Sequence, residues 1–482
     1  MNVKYSAADD LIVISFLFAI VSNTFASAKV QKKIEMRKYF YIIVSFFAIT
    51  LTSCDGGTTT QQASSVARLT SFSFAKNDSM PGLGKAVFTV EERLDTGLVE
   101  NKDSILYGTS LKRVVPRFTF AATPSAAYMR MADTIITLTG YDTLDFTLSP
   151  IYLTIRSQDR STTKTYEIKA SVHSADPDLY VWKQLTPAIY EPDDSEQRVL
   201  ELGDNFVLIK SNGFWRNVYR SEDGITWEDL GEPDNLPAGT RVRQIISDGS
   251  TLYYGQDDRL YTSSDAIHWT EQTMSYSIVT MLLYWNERVW ALVENNGYQF
   301  AYFNDGQLDT TALRPTNNFP VSDFGTVTFE SASLRERAMI IGGFAEDGRS
   351  LNTRWNLEYT THPLPDGAYR LEEFSIDRPA FTSLTGISVI WYNNQLQLFG
   401  GVDDKMSYFG RDIYISTDEG LNWVKADSTK NQLPEVYQAR QKQSAIVRDK
   451  NIYLFGGQDG QATYSDVYQG RLNSIDWPEN QK

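Results

Sequence analysis

Between residues 179 and 482 short apolar runs come in pairs, each pair joined by a few polar or glycine residues. They are 199–202 with 206–209, 244–246 with 252–254, 279–284 with 289–293, 326–329 with 338–341, 387–392 with 396–399, and 445–447 with 452–455. Brief runs rich in Val, Ile, Leu, Tyr and Phe, broken this often by turn residues, predict antiparallel strand pairs; helices would need apolar positions every three or four residues over a longer stretch. Six pairs predict six units of one repeat. Tryptophans test the period separately: Trp182, Trp227 and Trp269 stand 45 and 42 residues apart, and Trp423 and Trp477 stand 54 apart. The gap from Trp269 to Trp423 is 154 residues, the length of three further units.

The final unit, 440–477, shows the repeat most completely. It runs from Arg440 through the paired strands to the doublet Gly456 and Gly457, then to Tyr464, a strand over 466–468 and Trp477. Doublets recur at Gly342 and Gly343 and at Gly400 and Gly401, each closing the second strand of a pair, where a backbone needing positive φ or close approach to a neighbour favours glycine. Paired strands, glycine doublet, spaced Tyr and terminal Trp at a period of about 50 residues resemble the kelch repeat, one four-stranded blade of a β-propeller. Only five residues follow Trp477, too few for a robust outermost strand, whereas 179–185 precedes the first pair and reads as one. The N-terminal strand is therefore expected to complete the last blade and close the ring.

A second pattern overlays the first. Ser221, Asp223, Gly224 and Trp227 form one instance, Ser416, Asp418, Gly420 and Trp423 another, and Ser263, Asp265 and Trp269 a third with Ala266 in the glycine position. These resemble Asp-box turns, in which the carboxylate binds backbone amides of a tight turn and the indole packs between sheets. Such turns occur in sialidases but are structural there. The Arg-Ile-Pro strand that introduces the sialidase arginine cluster is missing from this sequence.

From 66 to 172 shorter alternating runs appear, at 69–74, 86–90, 104–106, 116–120, 134–138, 144–148, 152–155 and 165–170, separated by Gly, Asp, Asn and Ser. Strands at this spacing predict a β-sandwich, and the pattern around Asp145, Phe146, Pro150, Asp159, Tyr166 and Ile168 resembles small immunoglobulin-like domains of Bacteroidota-type lipoproteins. Residues 174–178, with Pro177, read as a short linker.

Upstream, Arg37 and Lys38 precede an apolar segment over 39–49 and then Leu51, Thr52, Ser53 and Cys54. Basic residues, a short apolar core and small residues are the parts of a secretory signal. The last four resemble the bacterial lipobox, which implies lipidation of Cys54. Residues 55–65, almost free of apolar side chains, are expected to be a flexible tether. A second apolar run, 11–21, is preceded by Asp9 and Asp10 where positive charge is expected, and Met36 stands just before Arg37, so 1–35 reads as a non-translated upstream extension.

The 482-residue chain has 60 acidic against 45 basic residues, a net charge of −15, which repels polyanions and argues against nucleic-acid binding. Aromatic residues make up 13%, in keeping with β-sheets packed through large side chains. One cysteine, Cys54, excludes an internal disulfide, and three histidines, His173, His268 and His362, have no metal-ligand spacing. Neither a G-x-S-x-G elbow nor a phosphate-binding glycine loop is present, so no catalytic residue, metal or cofactor is expected. Carboxylates are numerous, but paired-acid glycosidase chemistry depends on their separation in space.

The expected architecture is all-β: an immunoglobulin-like β-sandwich over 66–175 followed by a six-bladed kelch-like β-propeller over 176–482. The candidate ligand-binding residues lie in loops expected on the funnel face: Trp215, Arg216, Tyr276, Tyr298, Arg349, Tyr408, Tyr437 and Tyr464, since aromatic platforms beside polar groups suit sugar rings or peptides. As a whole the chain resembles Bacteroidota-type lipoproteins that pair an immunoglobulin-like domain with a kelch or Asp-box propeller. That resemblance implies a monomeric, outer-membrane, lipid-anchored envelope protein that binds a glycan or protein partner without catalysis. A glycan-processing hydrolase and a scaffold of an envelope complex are the alternatives.

Overall fold

Short apolar runs punctuated by turns can satisfy their backbone groups only by pairing with one another, and in the computed structural model they do so almost throughout. The structure describes residues 62–304, 306–331, 335–360, 368–375 and 382–478. The extension 1–35, the signal segment with Cys54, most of the tether and His362 lie outside the described residues. Among the described residues no helix is long and apolar enough to cross a membrane.

The N-terminal region sets a two-stranded sheet, Leu69–Phe74 with Pro116–Phe120, over a mixed six-stranded sheet. In that larger sheet Thr96–Asn101 pairs parallel to Thr163–Lys169, and the other pairings are antiparallel. Phe72, Phe74 and Phe146 fill the space between the sheets, with Phe88 packed edge-on against the first two. Two expected strands, 104–106 and 144–148, form only isolated bridges, at Ile105 and Leu144. Two strands with little apolar alternation, Thr96–Asn101 and Ala126–Met131, were not expected.

Downstream, five sheets succeed one another along the chain: 196–231, 246–310, 325–375, 388–425, and 444–472 together with Tyr180–Thr186. Their innermost strands touch in cyclic order, and the strands over 444–448 contact those over 196–202, so the sheets form a closed ring, a β-propeller. Buried clusters fill each gap. Val207, Tyr254 and Trp269 lie between the first and second sheets, Trp290, Phe319 and Trp355 between the second and third, and Phe206, Tyr453 and Phe455 between the first and fifth. The second sheet is unlike the others in having six strands, because Leu252–Ser263 and Thr270–Trp285 are long enough to run through two strand pairs. Its pairing register breaks between Asp257 and Arg259, with Asp257 left-handed (φ 52°), and its two halves fold onto a shared core: Ile246, Leu260 and Met274 meet Val289, Ala291 and Ala301.

All three glycine doublets occupy positive φ, from 52° at Gly456 to 109° at Gly457. They also meet the neighbouring strand-to-strand connections: a Cβ on Gly400 would stand 2.7 Å from the Arg440 carbonyl, and one on Gly457 would stand 2.8 Å from that of Gln441. Both reasons for glycine therefore hold together. Two of the three serine and aspartate turns share one geometry, and the third is a longer variant. Asp223 Oδ1 accepts from the amides of Ile225 and Thr226 at 2.8 and 2.9 Å, and Trp227 Nε1 donates to the Gly224 carbonyl at 3.3 Å. Asp265 and Trp269 repeat this with Ala266 held at φ 68°. The third turn has one more residue: Asp418 Oδ1 accepts from the Asn422 amide at 2.8 Å, and Trp423 Nε1 donates to the Gly420 carbonyl at 3.2 Å. Partial burial opposes ionisation of Asp265, yet the His268 ring and two backbone amides hold its carboxyl down at about 2. Trp269 and Trp423 are buried and Trp227 is half-buried between sheets. Trp477 differs from its expected role: it is half-buried and stacks on His173, just ahead of the linker, at 3.7 Å, because the chain turns out of the sheet at 473–477.

The ring closes as expected. Tyr180–Thr186 is the outermost strand of the fifth sheet, antiparallel to Thr463–Leu472, with Trp182 opposite Gly470. The indole lies flat over that glycine, leaving no room for a Cβ. Gly470→Val should therefore destabilise the fold by about 1–3 kcal/mol through overpacking, measured as a lowered urea midpoint with an unchanged m-value.

Candidate functional site

Where the connection lies within the described residues, the innermost strand of a unit leads through a short turn into the second strand. The longer connections, second strand to third and one unit to the next, gather on the opposite face. Trp215 and Arg216 lie at the connection 212–215, Arg349 in 342–352, Tyr408 in 400–413, Tyr437 between the fourth and fifth sheets, and Tyr464 just after 459–462.

Three of the eight candidates converge. The Arg440 guanidinium lies 4.3 Å from the Tyr437 ring centroid and 4.1 Å from that of Tyr464, and it forms a two-point ion pair with Asp466. The Tyr464 hydroxyl donates to Asp459 at 2.6 Å, and the hydroxyl of Tyr408 lies beside Gly460 in the same loop. Burial, then the Asp459 carboxylate, pushes the Tyr464 hydroxyl up to about 12. Tyr437, however, is only 2% exposed and its hydroxyl bonds Gln443, so it supports this cluster from inside and offers no surface to a ligand.

The remaining candidates are dispersed. Tyr298 begins the strand Tyr298–Asn304; burial, then a hydrogen bond to Glu346, pushes its hydroxyl up to about 12. Glu346 shares a loop with Arg349, which is exposed and reaches Asn318 at 3.3 Å. Tyr276 is not in a loop at all. It lies within the strand Thr270–Trp285, half-buried against the core of the second sheet, because that strand continues through the expected boundary. Trp215 is half-buried, its ring 4.7 Å from the Lys210 ammonium, which also faces Tyr190 at 3.7 Å and Asp193 at 2.5 Å. Its neighbour Phe214, by contrast, is 88% exposed at the loop tip. Arg216 pairs with Glu232 at 2.9 Å.

What sequence reading missed is the centre of the ring. A cavity of about 340 Å³ lies on the axis, lined by the innermost strands of all five sheets, among them Arg198, Leu283, Thr326, Ser388 and Ser444. Arg243 and Gln443 line it too, just ahead of the strands they introduce. Lys442 lies beside this ring of residues, paired with Glu196 at 2.5 Å and Asp323 at 3.6 Å. The available signal was modest: Arg198 and Arg243 each stand immediately before or inside the start of an apolar run that becomes an innermost strand. Among the described residues no group of His, Cys, Asp and Glu is placed to hold a metal ion.

The chain belongs to the DUF6242 family. The model of the DUF6242 beta propeller domain matches residues 176–480, and that of the DUF6242 N-terminal domain, a domain of unknown function, matches residues 58–170. No curated protein matches the sequence. One solved structure, titled "Structure of YjhT", is similar at 13% identity over 59% of this chain and 96% of its own, with a TM-score of 0.43.

Arg440 is 1% exposed and Asp466 is 7% exposed, so each depends on the other for solvation. Arg440→Ala should cost about 3–5 kcal/mol, because a buried carboxylate is left unpaired. Replacing both partners by Leu should recover most of that loss, read from denaturant midpoints of the two variants.

Proposed function

We propose that this member of the family is a non-catalytic, lipid-anchored binding protein of the cell envelope, whose propeller presents its loop face to a glycan or protein partner. In this reading Cys54 carries the lipid and residues 55–65 form the tether to an immunoglobulin-like domain. The ring counts six kelch-like blades, the six-stranded second sheet being two blades that share long strands. The serine and aspartate turns are Asp-boxes that brace it.

The observation that carries the binding reading is the loop 212–216. Phe214 stands 88% exposed at its tip beside the half-buried Trp215, with Lys210 and Arg216 at its base and Asn212 hydrogen-bonded to Asp194. An exposed ring next to a fixed one, edged by amide and cationic groups, suits the C–H faces and hydroxyls of a sugar or an extended peptide.

A glycan array probed with the soluble chain tests the sugar partner. Binding to a defined subset, reduced at least tenfold by replacing Phe214 and Trp215 with Ala, is expected; an empty array would remove the glycan and leave a protein partner. Release of reducing sugar from any bound glycan would overturn the non-catalytic assignment. For the anchor, cells grown with labelled palmitate should yield labelled protein from the native sequence and none from Cys54→Ala; equal labelling of the two would sink it.

A further inference from the structure

We propose that the axial cavity is a binding site for a small oxyanion, the carboxylate of an organic acid or a free phosphate, held between Arg198 and Arg243. Both residues line the cavity, Arg198 from the innermost strand Glu196–Leu202 of the first sheet and Arg243 from the connection that leads into the second. Arg198 uses one guanidinium nitrogen on the Arg243 carbonyl. Arg243 uses one on the carbonyls of Lys442 and Gln443, at 2.9 and 3.2 Å. Among the described residues neither guanidinium has a carboxylate within ion-pair distance, while Arg243 Nε is buried without a hydrogen-bond partner.

Burial of two neighbouring cations is unfavourable unless something negative lies between them. That cost is visible in Arg198, whose pKa burial and then the nearby Arg243 lower to about 9. Burial lowers that of Arg243 as well, against the pull of Asp323 and Glu196. Those two carboxylates are themselves engaged by Lys442, and Glu201, at the cavity wall, is engaged by Arg448 at 2.8 Å. Three cations thus face two carboxylates around one end of the cavity, in a chain whose net charge is −15. Guanidinium forks are the donors that oxyanions take best. A volume of about 340 Å³ is at the lower end of the roughly 300–1,000 Å³ of small-molecule sites, which limits the ligand to a compact acid.

The site stands on the chemistry of the cavity, so an empty glycan array would leave it intact. The test is thermal unfolding and calorimetric titration of the full chain with D-glucuronate and with inorganic phosphate at constant ionic strength in chloride, with neutral D-glucose as the control. At least one anion should raise the melting temperature saturably, glucose should not, and the two anion arms separate an organic acid from free phosphate. Arg243→Gln should weaken binding about tenfold or more, the loss of a charge-assisted hydrogen bond. Arg198→Lys, which keeps charge and most of the volume and so preserves the fold, should weaken it several-fold. No saturable shift with either anion in the native protein, or equal dissociation constants in the native protein and Arg198→Lys, would overturn the proposal.

Discussion

The pairing of Tyr180–Thr186 with Thr463–Leu472 is the constraint on which the ring depends. Without it the fifth sheet would end in an open row of backbone donors and acceptors, and the first and fifth sheets would be held only by the contacts between their faces. With it, residues nearly three hundred positions apart become neighbours, and the chain can separate only by breaking a ladder and a buried aromatic layer together. Phe206 at this junction stands 4.9 and 5.0 Å from the ring centroids of Tyr453 and Phe455, so the seam has a buried aromatic layer like that of the gap between the second and third sheets.

Two local devices hold the rest of the geometry. The glycine doublets let the second strand of a unit turn away while its backbone touches the next connection, a contact that any side chain would prevent. The aspartate turns replace backbone partners with a carboxylate, and each fixes an indole by a hydrogen bond to the turn's own carbonyl. Both carry short sequence signatures, and that is why they were legible there: two adjacent glycines, or a serine, an aspartate and a tryptophan within seven or eight positions.

Features that need distant residues to meet were harder to read. The strand pairs of the ring were legible because each buries a continuous apolar run, and the outermost strand 180–186 was legible because Trp182 sits there without a unit of its own. The continuation of Thr270–Trp285 through two pairs left no mark, since a change of register at Asp257 alters no hydrophobic pattern. In the N-terminal region Thr96–Asn101 and Ala126–Met131 escaped notice because their partners, more than their own alternation, make them strands. Of the candidate residues, burial was not legible: Tyr437 proved to be an internal support and Tyr276 part of a sheet. Arg198 and Arg243, 45 positions apart, could be related only once the first two sheets were packed against each other.

The linker enters the ring beside its seam. Lys430 grips Asp176 and Asp178 at 3.1 and 3.2 Å, Asn473 donates to the Asp176 carbonyl, and His173 lies flat on Trp477. The first strand after this clasp is the one that completes the circle. A tug on the N-terminal domain would therefore be borne first by the ionic clasp and the stacked rings, and only afterwards by the ladder itself, so that the toroid has a strain relief built in where its two ends are joined.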